Sequence, residues 1–344
     1  MHLLDSLRRA AAACPNRCAL RWHERVGLVA AEEAGLPATM SYSELLACSE
    51  AVAVSLKREL LACGEAPTDP EVGRPLLAIA VDEGPLLVLA IAASWLAGAA
   101  VVPLDVSEPS ARIRMFLDDA APRLVLADAA QHRCLGSAWG AAAATRAAAT
   151  PALVDLSAMA RAAWVLVTQP GAQGTAAAAE EVHVEGRLGA QQVDESGDVV
   201  AHVWYTSGSS GTPKGCVVTH RALAAYALAR NAAHGLPTRL DVTGTADTGG
   251  EGGADAVPVV LMASAHTFDP CVGDVGSAWV GGAVLALCPK RALPLVLGQC
   301  LRDTGASHVC TTPSVFASVT AEVGGSRSVS VFAESAMPFC CLPP

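Results

Sequence analysis

Apolar residues between Met40 and Gly64 recur at helical spacing through Leu45, Val52 and Leu56. Ser41 or Ser43 is placed to cap the start of that segment and Gly64 to end it. Residues 2–13 carry the pattern of a surface helix stopped by Pro15. PLLAIAVD (75–82) is a short apolar run with the length and flanks of an interior strand, followed by a helix over 85–97 and a strand in AAVVPL. SEPSARIRMFLDDAAP then predicts a capped helix and RLVLAD another strand. Strands alternating with helices imply an α/β domain built on a parallel sheet.

The run from Leu86 to Leu104 is nearly free of charge and about as long as a membrane helix. It breaks at Gly98 and turns β-branched in VVPL, so it predicts a buried helix, a turn and a buried strand, with no membrane association.

Over residues 131–197 the alternation fades into alanine- and glycine-rich stretches such as AAAATRAAAT and GAQGTAAAAEE, which predict an irregular insertion. A second such patch covers 235–258. Between the patches lie strand, loop, strand and helix. After them come strand, loop, helix and strand, then helix, strand and helix. The expected division is a first α/β subdomain over 1–130, the insertion over 131–197, a second α/β part over 198–325 and an atypical tail over 326–344 that starts like a strand.

Composition narrows the function classes. The chain has 344 residues, 52% hydrophobic and 16% charged, against a usual charged share of roughly 25%. With aromatics at 4%, leucine, valine and alanine must supply most of the core. A net charge of −10 without a basic block argues against a nucleic-acid surface. The twelve cysteines include no CxxC pair, and neither Cys14 with Cys18 nor Cys340 with Cys341 builds a four-ligand metal site. They read as reduced, mostly buried thiols of an intracellular protein. The amphipathic N-terminus lacks an apolar h-region, which excludes a secretory signal and favours a cytoplasmic location, an organelle transit peptide being the lesser alternative.

The chemistry concentrates in WYTSGSSGTPKG (204–215). Several backbone N–H groups must converge to grip a phosphate, and glycines permit that close approach. Gly208, Gly211 and Gly215 meet this need; Thr206, Ser207, Ser209, Ser210 and Thr212 add hydroxyls, and Lys214 adds charge. The Walker pattern is excluded because Pro213 precedes Lys214 and Gly215 follows it, and no G-x-G-x-x-G spacing occurs here. By composition alone the stretch fits a phosphate loop or a serine-rich turn.

As an ordered string, YTSGSSGTPKG resembles the signature YTSGSTGxPKG of the adenylate-forming (AMP-binding) superfamily, with Ser210 in place of the usual threonine. CPNRCAL, MSYSELLACSEAVAVSL, VLAIAASWLAGAAVVPLDVSEPSARIRMFLDDAAPRLVLAD, VVTHRAL and AHTFDPCVGDVGSAWVGGAVLAL are similar to further motifs of that family in the same order. The wording is nearest to adenylation domains of nonribosomal peptide synthetases and their β-alanine- or aminoadipate-activating relatives. The resemblance implies the N-terminal part of the acyl-CoA synthetase-like fold, α/β with doubly wound, mostly parallel sheets and flanking helices.

It also implies ATP-dependent activation of a carboxylic acid, an amino acid in this branch, as an acyl-adenylate with release of pyrophosphate. ATP and Mg²⁺ would be the cofactors, and a carrier-protein phosphopantetheine or coenzyme A the acceptor. Thr206, Ser207, Gly208, Ser209, Ser210, Gly211 and Lys214 would contact the phosphates. Asp269 sits where such enzymes pair an aspartate with the substrate's amino group, although its place before a helix also suits an N-cap. Pro270, Gly273 and Cys310 fall at positions that shape the substrate pocket. His220 matches a position beside the loop suited to packing or hydrogen bonding, and the role of His266 stays open.

The family pattern continues with a YGPTE segment, a TGD aspartate and a C-terminal lysine. None occurs in these 344 residues, so no catalytic residue and no metal ligand is assigned. Two alternatives follow: a truncated, inactive domain that binds a nucleotide or partner, and an acyl-CoA synthetase acting on a non-amino acid.

Overall fold

The computed structural model describes residues 2–23, 36–64, 71–142, 151–168, 198–206, 213–240, 257–288, 293–313, 315 and 330–333. Chain order runs α1 (Leu3–Ala13), β1 (Cys18–Trp22), β2 (Thr39–Ser41), α2 (Tyr42–Ala62), β3 (Leu76–Ala80), α3 (Pro85–Leu96), β4 (Ala100–Pro103), α4 (Ser110–Ala120), β5 (Leu124–Ala127), α5 (Ala129–Ala142), β6 (Ala152–Asp155) and α6 (Leu156–Thr168). It continues with β7 (Val200–Thr206), β8 (Lys214–Thr219), α7 (His220–His234), β9 (Val259–Met262), α8 (Pro270–Gly281), β10 (Val284–Leu287), α9 (Leu293–Thr304), β11 (His308–Thr311) and β12 (Ser330–Ala333).

Among the described residues the strands form two six-stranded sheets, ordered β12-β11-β9-β10-β1-β2 and β6-β5-β3-β4-β7-β8. Pairing is parallel except for the edge pairs β1–β2 and β7–β8. The first sheet joins β1 and β2 to strands from the far end of the chain, so the sheets do not divide at residue 130.

The Leu86–Leu104 run is buried, as its pattern predicts: α3 is buried from Pro85 to Trp95, and a turn at Gly98 leads into β4. α8 is likewise buried along its whole length. These two helices meet where Trp95 and Trp279 pack edge to face at 6.2 Å. α2 starts with a capping box. The Ser41 hydroxyl accepts the Glu44 N–H (3.3 Å), and the Glu44 carboxylate accepts the Ser41 N–H (2.7 Å). The buried Tyr42 hydroxyl then donates towards the carbonyls of Ala278 and Ala283, tying α2 to α8.

Two expectations are corrected, and two short strands are added. The helix after SEP has no side-chain cap: Pro109 stands at the N-cap of α4, while Ser107 hydrogen-bonds Asp105 instead. The short strands β1 and β2 form where the sequence shows no clear strand pattern. Within the stretch expected to be irregular, residues 131–142 belong to α5 (Ala129–Ala142) and residues 152–168 form β6 and α6, and β6 extends the second sheet beside β5. Residues 169–197, 241–256 and most of the tail lie outside the described residues.

Candidate functional site

The glycine-serine stretch joins β7 to β8, an antiparallel pair in which Tyr205 faces Gly215 and Thr206 faces Lys214. This register brings Thr206 and Lys214, the two described residues among those expected to contact phosphate, to the same end of the hairpin. The Thr206 hydroxyl lies 3.5 Å from the Lys214 carbonyl, and Lys214 is exposed. Ser207, Gly208, Ser209, Ser210 and Gly211 lie outside the described residues.

This end of the hairpin is held from the side by α4. The Tyr205 hydroxyl donates to Asp119 (2.5 Å), its ring packs on Phe116 with centroids 4.8 Å apart, and the Arg112 guanidinium lies 5.6 Å from the Phe116 ring centre. Burial and the hydrogen bond to Asp119 push the Tyr205 phenol above its ordinary range. Gly215 has a local reason beside any phosphate role. A Cβ there would come 3.2 Å from Val203 and 3.6 Å from the Tyr205 ring.

The opposite end of the hairpin enters a cluster of aromatic rings. His220 stacks on His2 at 3.4 Å and meets Trp95 edge-on at 4.7 Å. His202 stacks on Trp204 at 4.4 Å. Among the described residues neither ring nitrogen of His220 has a hydrogen-bond partner, and its contacts are with rings. Burial lowers His2 to about 4 and His202 to about 3. It lowers His220 further, helped by repulsion from His2, Arg74 and His202.

In the other sheet, a cavity of about 190 Å³ opens beyond the carboxyl ends of β9 and β11. It is lined by Ala263, Ser264, Phe268, Leu297, Thr311, Thr312 and Val315. Carboxyl ends of parallel strands are the usual ligand edge of such sheets. The cavity's hydroxyls and aromatic ring are not among the residues singled out from the sequence. Their position just past two strand ends is the signal that could have found them.

Asp269 is half-buried next to Phe268 and does not act as a side-chain cap: its carboxylate makes no capping bond to α8. Pro270 is buried at the first position of that helix, and Cys310 is buried in β11 one residue before Thr311. None of Pro270, Gly273 and Cys310 lines the cavity. Gly273 is turned towards α7, where a Cβ would stand 2.5 Å from the Tyr226 ring and 2.8 Å from the Arg230 guanidinium. Arg230 is buried and ion-paired with Asp274. Burial opposes its charge, but Asp274, with Cys310 and Tyr226, raises its hold on the proton.

His266 precedes Phe268 and Asp269 on the same segment. Its Nδ1 lies 3.0 Å from Glu83 Oε1, its Nε2 lies 3.2 Å from the Leu104 carbonyl, and its backbone N–H donates to Glu83 (3.3 Å). Among the described residues, no cluster of His, Cys, Asp and Glu offers a metal cage, and no helix is long and apolar enough to cross a membrane. The ten described cysteines are free thiols, five of them buried.

Two α/β sheets, with a glycine-serine hairpin in one and a cavity at the carboxyl edge of the other, define a doubly wound, mostly parallel α/β class of domain. The chain belongs to the family described as AMP-binding enzyme, whose profile matches residues 7–336. It is 29% identical over 287 residues to the nonribosomal peptide synthetase vlms of Lecanicillium sp, covering 81% of this chain and 2% of that protein. It is 34% identical over 191 residues to the L-proline–[L-prolyl-carrier protein] ligase of Streptomyces coelicolor, covering 54% of this chain and 31% of that one. Its fold is similar to that of VinN solved with L-aspartate, at a TM-score of 0.62, 20% identity, and coverage of 93% of this chain and 69% of VinN. The chain thus spans a small part of the curated relatives it matches.

Proposed function

We propose that this chain takes part in ATP-dependent activation of an amino acid as its acyl-adenylate, with release of pyrophosphate. The observation that carries the proposal is the pairing of Thr206 with Lys214, which brings the lysine to the mouth of the glycine-serine loop. In this reading an oxygen of the substrate carboxylate attacks the α-phosphorus and the bond to pyrophosphate breaks. Lys214, Thr206 and the loop donors hold the β- and γ-phosphates and stabilise charge on the departing pyrophosphate. Mg²⁺ would enter with the triphosphate, since magnesium sites commonly rely on substrate phosphates.

Asp269 would pair with the substrate ammonium. A half-buried carboxylate favours a cationic partner, which prefers an amino acid over a simple fatty acid. The neighbouring cavity, lined by neutral side chains, suits a compact uncharged side chain. The prolyl-carrier ligase and the VinN complex with L-aspartate support an amino acid as substrate. The acceptor would be a carrier-protein thiol or coenzyme A, in the cytoplasm where ATP is supplied.

The test is pyrophosphate–ATP exchange with pooled amino acids, alongside ATP binding. Lys214→Ala is expected to weaken either signal by roughly 100-fold, the scale of losing one charge-stabilising donor. Folded protein that neither exchanges pyrophosphate nor binds ATP would reject the proposal. ATP binding that needs Lys214, without exchange, would restrict the function to nucleotide binding.

A further inference from the structure

We infer that His266 and Glu83 form a positioning latch that ties the substrate end of the site to the opposite sheet. Glu83 follows β3, Leu104 follows β4 and His266 follows β9, so three strand carboxyl ends from both sheets meet at one imidazole. The contact is buried, the two side chains being 7% and 8% exposed, and its partners are 183 positions apart in the chain.

The ring is not merely packed. His220 offers the contrast: its contacts are with rings, and among the described residues neither nitrogen has a hydrogen-bond partner. Both nitrogens of His266 instead face acceptors. A carbonyl oxygen cannot donate, so Nε2 carries a hydrogen towards Leu104. Glu83 Oε1 also receives the His266 backbone N–H, so one carboxylate meets both the ring and the backbone of this residue and anchors the segment at its middle.

That segment is short. From His266 it is two residues to Phe268, which lines the cavity, and three to Asp269, which immediately precedes α8. The Phe268 N–H donates to the Ala265 carbonyl (2.9 Å), closing a turn around the anchored histidine. A displaced imidazole would therefore carry Phe268 and Asp269 with it. His266 acts here through Asp269 and Phe268 and is a positioning residue. Its effect on substrate rests on the proposed adenylation reading, whereas the latch itself does not.

The experiment compares the full chain with His266→Ala and the gentler Glu83→Gln, measuring amide hydrogen exchange segment by segment and kinetics by pyrophosphate exchange. Exchange over 264–269 is expected to quicken about tenfold in His266→Ala and less in Glu83→Gln, while Lys214–Thr219 stays unchanged. KM for the amino acid should rise about tenfold, with KM for ATP within twofold of the wild type. If His266→Ala does not fold, Glu83→Gln decides through the same readouts. Equal exchange over 264–269 in the folded variants and wild type overturns the latch. An equal rise in both KM values overturns its placement at the substrate end. Failure of the wild type to exchange pyrophosphate counts against adenylation, and the hydrogen-exchange comparison still decides the latch.

Discussion

The β7–β8 hairpin and the segment from β9 to α8 carry the candidate residues in different sheets, and they are held in opposite ways. The hairpin's working residues are local in sequence: Thr206 and Lys214 face each other across a single antiparallel pair. Its support comes from rings, with His202, His220 and Trp95 at one end and Tyr205 on Phe116 at the other. The β9–α8 segment depends on polar contacts over long sequence distances, chiefly His266 with Glu83 and Arg230 with Asp274. Charge should therefore disturb the hairpin, and volume the segment.

The largest effect is expected from acid acting on the hairpin. His2 and His202 are held neutral in the fold, lowered to about 4 and about 3, and His220 is lowered as well. The unfolded chain takes up these protons near pH 6.5, before the folded one does. Above that pH the depressed values cost nothing; as pH falls below it, stability is lost until the folded values are reached. The slope for each such histidine is about 1.4 kcal/mol per pH unit. Urea unfolding at pH 7, 6 and 5 should show the fall, and His220→Leu should flatten it. The groups facing His220 and His2 include Asp5, Arg8 and Arg74, so their substitution would move the pH at which the loss ends. A pH-independent midpoint would mean that the ring cluster does not hold the hairpin.

Volume tests the segment. Gly273 permits α7 and α8 to approach so closely that a Cβ would stand 2.5 Å from Tyr226 and 2.8 Å from Arg230. Gly273→Val should destabilise by about 1–3 kcal/mol through overpacking, read from the urea midpoint. Because Arg230 is tethered to Asp274, it cannot simply swing away. A neutral outcome would show that Tyr226 and Arg230 yield, and that this end is less rigid than its ion pairs suggest.

The contrast also explains what could be seen in the sequence. The family resemblance of the glycine-serine loop is legible because its residues are contiguous, and α3 with β4 is legible because Gly98 interrupts an apolar run. The capping box of α2 lies within four residues, Ser41 to Glu44. By contrast, no periodicity links His266 to Glu83 across 183 positions. Nor does any local pattern say that Gly273 faces Tyr226 instead of the cavity. β1 and β2 were missed because they are short and take their partners from distant strands or each other. β6 was missed because its alanine-rich surroundings carry little pattern. Legibility here follows contact range: what neighbours determine can be read, and what tertiary packing determines cannot.

The smallest expected effect tests whether the hairpin's working end needs more than its backbone pairing. Tyr205→Phe keeps the ring on Phe116 and over Gly215 but removes the hydrogen bond to Asp119. A hydrogen bond this exposed contributes about 0.5–1.5 kcal/mol, so the melting temperature should drop only slightly. Because Tyr205 immediately precedes Thr206 and pairs with Gly215 beside Lys214, the loss should be felt more in ATP affinity, by about two- to fivefold, than in stability. Amino-acid affinity should stay unchanged, since the β9–α8 segment is tied to the sheets through different residues. Calorimetric titration of ATP into the wild type and Tyr205→Phe measures this directly. Equal affinities would assign the placement of Lys214 to the strand ladder alone. A larger loss than His266→Ala causes for the amino acid would make the exposed end, and not the buried one, the more finely tuned of the two.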